Sequence, residues 1–265
     1  MKGLLIFVVL MGVGVIQSQT LRIAAAADLK FAMPEILNGF RAKYPNVKVE
    51  VSYGSSGLFF QQISNGANFD LFFSADITYP LQLKESGYVD GEISTYAYGT
   101  LVLYSTVVKF DRGIEILMDS QVKRIAIANP KHAPYGKRAE EFLKIKGFYN
   151  KVQDKLILGD NISQAGQFAI TGNADVAFLA LSIAISPEFK NKGTYIILDK
   201  KLYSPIEQGC IQLKKAKFNI SARYFMEFVL SPACAPIFEK YGFTVPKKIT
   251  VACIPSPLQL ERGRG

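Results

Sequence analysis

The spacing of apolar and polar positions changes period repeatedly along the chain. LRIAAAA (21–27), VKVEVSY (47–53), DLFFSA (70–75) and GTLVLYS (99–105) are short apolar or alternating runs that predict strands. Between them PEILNGFRAKY (34–44), LFFQQISNG (58–66) and LQLKESGY (81–88) place apolar residues at helical spacing. After Gln121 the rhythm restarts with VKRIAIANP, KRAEEFLKIKGFY, KLILG, SQAGQFAITGN and ADVAFLALS. The alternation predicts an α/β fold with mostly parallel sheets, and the restart predicts two lobes. No low-complexity linker separates the halves, so the chain is expected to cross between lobes along extended strands.

Every candidate for chemistry falls where a strand hands over to a helix. In AAAADLKFAMPEI, Asp28 follows a run of alanines whose small side chains leave room for a ligand, and a short turn with a restart near Pro34 is expected. In VSYGSSGLFFQQI, Ser55 and Ser56 lie between Gly54 and Gly57, where flexible glycines, hydroxyls and free backbone N–H groups meet. IAIANPKHAPYGKRAEEF puts Tyr135 just ahead of a helix, and LGDNISQAGQFAI starts another near Ile162. Helix N-termini hold anions, and the carboxyl ends of parallel strands face one crevice, so the four loops are expected to converge between the lobes.

Composition narrows the partner. The chain has 265 residues, 49% hydrophobic and 20% charged, which suits one large or two modest globular domains. Its formal net charge of +9 admits nucleic acid, an anionic membrane or a small anion. The lysines are scattered in doublets such as Lys200–Lys201 and Lys247–Lys248, without a basic stripe interleaved with aromatics, which argues against nucleic acid. MKGLLIFVVLMGVGVIQSQT has the layout of a secretory signal, and its apolar run falls short of the roughly 20 residues of a spanning helix. Cys210, Cys234 and Cys253 show neither metal-ligand spacing nor an even disulfide count, and the first two sit in apolar contexts expected in a core.

AAAADLKFAM, VSYGSSGLFFQQI, FDLFFSAD, NPKHAPYGKRAEEFL, NISQAGQFAITGNADVAFLALS and SPACAPIFEKYGFTVP occur in that order from about Leu21 to Pro246. Together they resemble the periplasmic molybdate-binding proteins of molybdate ABC transporters. The resemblance implies a two-lobed, type II periplasmic-binding-protein fold with the ligand cleft between the lobes. It implies a periplasmic, monomeric receptor that closes over molybdate or tungstate and delivers it to a membrane permease, with no cofactor, no metal cation and no enzymatic activity. By position, the family's ligand contacts fall on Asp28, Ser56, Tyr135 and the backbone at Ile162. A tyrosine used by some members corresponds to Ala180, and Tyr135 is expected to supply the missing hydroxyl. Asp28 departs from the family's serine or threonine: a carboxylate about 5 Å from a dianion repels it by several kcal/mol at an effective dielectric near 20. The expected resolution is a side chain turned away to cap its helix, with its backbone N–H facing the oxyanion.

The expected organisation is a signal peptide at 1–19, a first lobe at 20–98 plus 214–246, a second lobe at 99–213 and a tail at 247–265. Two other readings remain open. One is a receptor for sulfate, phosphate or another small oxyanion. The other is a secreted serine hydrolase using Ser56 with His132, the only histidine, although Leu58 occupies the place of the second glycine of a nucleophile elbow. Asp70 and Asp76 are expected to make capping and turn bonds rather than hold a metal. The N-x-S matches at Asn161 and Asn219 are read as chance.

Overall fold

The structure is a computed structural model that describes residues 20–89 and 91–246. The expected signal peptide and tail, with Cys253, lie outside the described residues. Two five-stranded sheets form the two expected lobes. The first sheet contains β1 (Leu21–Ala26), β2 (Val49–Gly54), β3 (Leu71–Ser74), β4 (Ser94–Gly99) and β10 (Ile206–Gln212), in the order β2-β1-β3-β10-β4. The second contains β5 (Leu101–Ser105), β6 (Ile125–Ala128), β7 (Leu156–Gly159), β8 (Val176–Ala180) and β9 (Thr194–Ile197), in the order β7-β6-β8-β5-β9.

The sheets are mixed rather than mostly parallel. β1 pairs in parallel with β2 and β3, and β6 with β7 and β8. β10 runs antiparallel to β3 and β4, as does β5 to β8 and β9. The departure has one cause: the strands that carry the chain between lobes enter each sheet from the opposite end. The first crossing takes one residue, Thr100, between β4 and β5. The return runs through 198–205 into β10, which therefore belongs to the first sheet, whereas the sequence reading kept the second lobe to residue 213.

Burial explains why the elements hold. β1, β3, β6 and β8 are covered on both faces, as strands flanked by helices on both sides must be. In the first lobe α1 (Ala32–Lys43), α8 (Ile220–Val229) and α9 (Ala235–Lys240) share one core with the sheet, where Phe40 meets Phe225 edge-on at 5.0 Å and Phe73 meets Tyr96 at 5.5 Å. On the other face α2 (Ser56–Ser64) and α3 (Thr78–Glu85) bury Phe59, Ile63 and Leu83. In the second lobe α4 (Pro134–Ile145) packs Phe142 against Phe178 at 6.0 Å, and α5 (Tyr149–Val152), α6 (Ile162–Ile170) and α7 (Leu181–Ala184) complete the cover. Cys210 and Cys234 are free and buried, as expected. Among the described residues no helix is long and apolar enough to cross a membrane.

Two local features let helices start close against their own sheets. Pro34 is the third residue of α1, where the first-turn N–H groups lack intrahelical acceptors and a proline costs no hydrogen bond. Pro134 opens α4, and a Cβ on Gly136 would lie 1.8 Å from the carbonyl oxygen of Ala128, so only glycine lets α4 seat on β6.

Candidate functional site

The four strand-to-helix loops do converge. Ala26–Asp28 at the end of β1, Gly54–Ser56 at the end of β2, Ala133–Tyr135 at the start of α4 and Asn161–Ile162 at the start of α6 surround one cavity, and Ala75 after β3 completes its wall; Tyr135, expected ahead of the helix, is the second residue of α4. α2, α4 and α6 all begin at the cavity, so three positive helix ends meet at one cleft between the lobes.

The donor set follows from the helix starts. Ser56 and Ile162 are the first residues of α2 and α6, and the N–H groups there have no acceptor within their helices. The Ser56 hydroxyl accepts the Ala75 N–H at 2.9 Å, which leaves its own proton to donate. Ser56, Ile162 and Tyr135 are all buried. Asn161 caps α6 by accepting the Gln164 N–H at 3.1 Å, and Asn219 caps α8 through Ser221 N–H at 3.1 Å, which accounts for both N-x-S matches structurally.

The Asp28 carboxylate does not cap a helix. Ala26 and Phe31 occupy the two cap positions nearest to it, and Asp28 sits inside the single 3-10 turn, Ala27–Leu29. Its Oδ2 accepts Tyr135 Oη at 3.0 Å and Gln208 Nε2 at 2.6 Å. Tyr96 Oη donates to Gln208 Oε1 at 2.7 Å, which fixes the amide with its nitrogen toward Asp28. Burial pushes the Asp28 pKa up to about 6, while the bonds from Gln208, Tyr135 and nearby backbone N–H groups hold it from rising further. The Tyr135 hydroxyl, expected to face the ligand, gives its proton to Asp28 and lies so close to Gly99 that a Cβ there would come within 2.2 Å.

The lobes are clasped around the cavity. Ser55 Oγ donates to the His132 carbonyl at 2.5 Å and lies 3.0 Å from His132 Nδ1, and the Gly57 N–H reaches the same carbonyl at 2.9 Å. The Ser56–His132 pair of the hydrolase reading is not assembled, because the histidine meets Ser55 and the Ser56 hydroxyl is turned to Ala75. Ser163 Oγ donates to the Ala27 carbonyl at 3.1 Å and Ser182 Oγ to that of Asp28 at 2.8 Å. Arg138 on α4 reaches Asp76 of the first lobe at 3.4 Å. Asp76 also accepts from Thr78 and Asp70 from the Arg22 N–H, the capping and turn roles expected of them. Among the described residues no acidic, histidine and cysteine side chains cluster as metal ligands.

Residues 21–244 match the family of bacterial extracellular solute-binding proteins. The chain belongs to that family. It is 37% identical over 243 residues to the molybdate-binding protein ModA of Azotobacter vinelandii, spanning 89% of this chain and 96% of that one. Its identity to the protein of the same name from Rhodobacter capsulatus is 39% over 198 residues, 74% of this chain and 77% of the relative. The solved periplasmic molybdate-binding protein of A. vinelandii shares the fold at a TM-score of 0.80 and 30% identity, over 86% of this chain and 100% of that chain. This solute-binding protein thus has the type II periplasmic-binding-protein architecture, and its relatives are binding proteins rather than enzymes.

Sequence reasoning missed Gln208, the Ser55–His132 clasp and the Arg138–Asp76 pair. Gln208 did leave a signal: in IEQGCIQ it shares a strand face with Ile206 and Cys210, both buried, and a polar residue on an inward face needs a polar partner. The other two depend on lobe closure, which no local pattern encodes.

Proposed function

We propose that this solute-binding protein captures molybdate or tungstate in the periplasm and delivers it to the membrane permease of an ABC transporter. One observation carries the reading: three helix N-termini, from both lobes, meet at a single cleft whose lining offers backbone N–H groups and the Ser56 hydroxyl. The proposed ligand contacts are the Ser56 hydroxyl and N–H, the Ile162 N–H, the Asp28 N–H and the side of the cavity formed by Tyr135. A bare tetrahedral oxyanion offers only acceptors, and such a donor set suits it without a counter-cation. Each charge-assisted bond contributes roughly 1.5–3 kcal/mol net, so a handful offsets an association cost of several kcal/mol and supports micromolar to nanomolar affinity, about −8 to −12 kcal/mol. The names of the relatives support molybdate, and the match of their fold supports closure of the lobes over it.

Calorimetric titration of the mature protein with molybdate, tungstate, sulfate and phosphate in an anion-free buffer tests the reading. The expected result is submicromolar one-to-one binding of the two larger oxyanions with sulfate inert. Tight binding of sulfate or phosphate instead, or no binding of any of the four, overturns it.

A further inference from the structure

The Asp28 carboxylate poses a charge problem that the other cavity residues do not. Asp28 is one of the residues lining the cavity, its side chain is fully buried, and one carboxylate oxygen, Oδ2, is engaged by Tyr135 and Gln208. Its other oxygen, Oδ1, is buried with no hydrogen-bond partner. Among the described residues no cation is in contact with it. β4 brings Tyr96 and β10 brings Gln208 and Cys210, while α4 brings Tyr135, beside which lies Tyr203. β2 carries Tyr53 and the exposed Glu50, which pairs with Lys48, and α6 and α7 carry no ionisable side chain. On α4, Arg138 is engaged by Asp76 and Glu141, and Lys30, two residues on from Asp28, faces Glu188 at 3.8 Å.

A dianion entering this space meets either a second negative charge or a carboxylic acid. Two like charges sharing a site in this way hold one proton between them. Burial already favours the neutral acid, with a pKa near 6 before any ligand enters. Protonation converts an orphaned acceptor into a donor of the kind the rest of the cavity supplies.

We propose that the site takes up its oxyanion together with one proton, which resides on the Asp28 carboxyl and lets that group donate to the ligand. This rests on the proposed oxyanion function and adds a proton to its stoichiometry. The proton comes from solvent or buffer, adds to an Asp28 carboxylate oxygen, and returns to solvent when the oxyanion leaves. Asp28 thereby sets the pH dependence of binding.

The experiment is calorimetric titration of the full mature protein with molybdate at pH 7.5 in buffers of different ionisation enthalpy, with dissociation constants measured from pH 5.5 to 8.5. Molybdate remains a dianion across this range, so any linked proton belongs to the protein. The expected result is uptake of close to one proton per molybdate and a dissociation constant that rises about tenfold per pH unit above the Asp28 pKa, then levels below it. Asp28→Asn and Asp28→Ser, two variants in case one folds poorly, should bind with no uptake and a flat pH profile. Molybdate binding by the wild type without proton uptake and with a flat profile overturns the inference while leaving the function standing. Uptake that persists in both variants assigns the proton elsewhere, His132 included, and also overturns it. Failure to bind molybdate at every pH overturns the function and the inference together.

Discussion

Arg138→Met tests whether the contacts between the lobes work on closure or on the fold. The guanidinium lies 3.4 Å from Asp76 Oδ2, with the two side chains 10% and 6% exposed. At an effective dielectric near 20, charges at that distance attract by about 5 kcal/mol, and desolvation of both groups removes much of that gain. Methionine keeps the apolar stem against α4 but leaves Asp76 Oδ2 buried without its partner. The lobes can relieve this by separating, since hydrated Asp76 still accepts from Thr78 through Oδ1 within the first lobe. The loss therefore appears as a smaller closed population, and apparent affinity falls in proportion to that population. A net effect of about 2 kcal/mol corresponds to molybdate affinity about 30-fold weaker. Calorimetry gives the dissociation constant, stopped-flow displacement gives the off-rate, and urea unfolding gives the stability of the ligand-free protein. The expected pattern is a faster off-rate with ligand-free stability changed by less than about 0.5 kcal/mol. Affinity within threefold of wild type, or a ligand-free protein destabilised by about 2 kcal/mol with its affinity intact, refutes the reasoning.

Asp28 gives a stability signature independent of ligand. Its folded pKa of about 6 lies above the ordinary 3.8, so the folded state binds the proton more tightly, and stability is full below pH 3.8 and declines as pH rises through about 6. Above that range the buried charge costs about 3 kcal/mol, so Asp28→Asn should be more stable than wild type by up to that amount at pH 7.5 and no more stable near pH 3.5, and equal urea midpoints at pH 7.5 would sink the assignment. Gly136→Ala, whose Cβ would lie 1.8 Å from the Ala128 carbonyl oxygen, should unseat α4 and lower the melting temperature by several degrees, whereas an unchanged melting curve contradicts the packing. Ser56→Ala should weaken molybdate binding by roughly 10- to 100-fold through loss of a charge-assisted donor, and Ser55→Ala by about tenfold or less through the clasp to His132; the reverse order of effects would reassign the two serines.

What the sequence made legible divides along the distinction between local and long-range order. That helices follow the loops near Ser56, Tyr135 and Ile162 was readable because a strand pattern, a glycine or proline, and a helical pattern succeed one another within a few residues, although α2 and α4 begin earlier, at Ser56 and Pro134, than the apolar spacing indicates, which puts Tyr135 inside α4. The same signals brought four loops to one cavity, because parallel strands end on one side. The sequence reading missed β4, β9 and β10, whose places depend on partners far away in the chain: STYAYG and TYII are short, and IEQGCIQ finds its neighbours at Leu71–Ser74 and Ser94–Gly99. Asp28 shows the limit most directly. Its position at the cavity was readable from the alanine run, but its orientation was set by Tyr135, 107 residues on, and Gln208, 180 residues on. A capping role was the natural local expectation, and two distant side chains outcompeted it.

The cavity takes its walls from both lobes, and the loops on either side touch backbone to backbone, with a Cβ on Gly57 falling 2.6 Å from the His132 carbonyl oxygen. A captive held by both sets of loops loses half of its contacts when they part. The off-rate therefore has a ceiling set by the rate at which the halves part, common to every occupant that fits, and chemical preference for one oxyanion over another shows in how often an opening ends in reclosure rather than escape. A membrane partner that pulls the lobes apart would shorten residence time for all cargoes alike, without contacting the cargo.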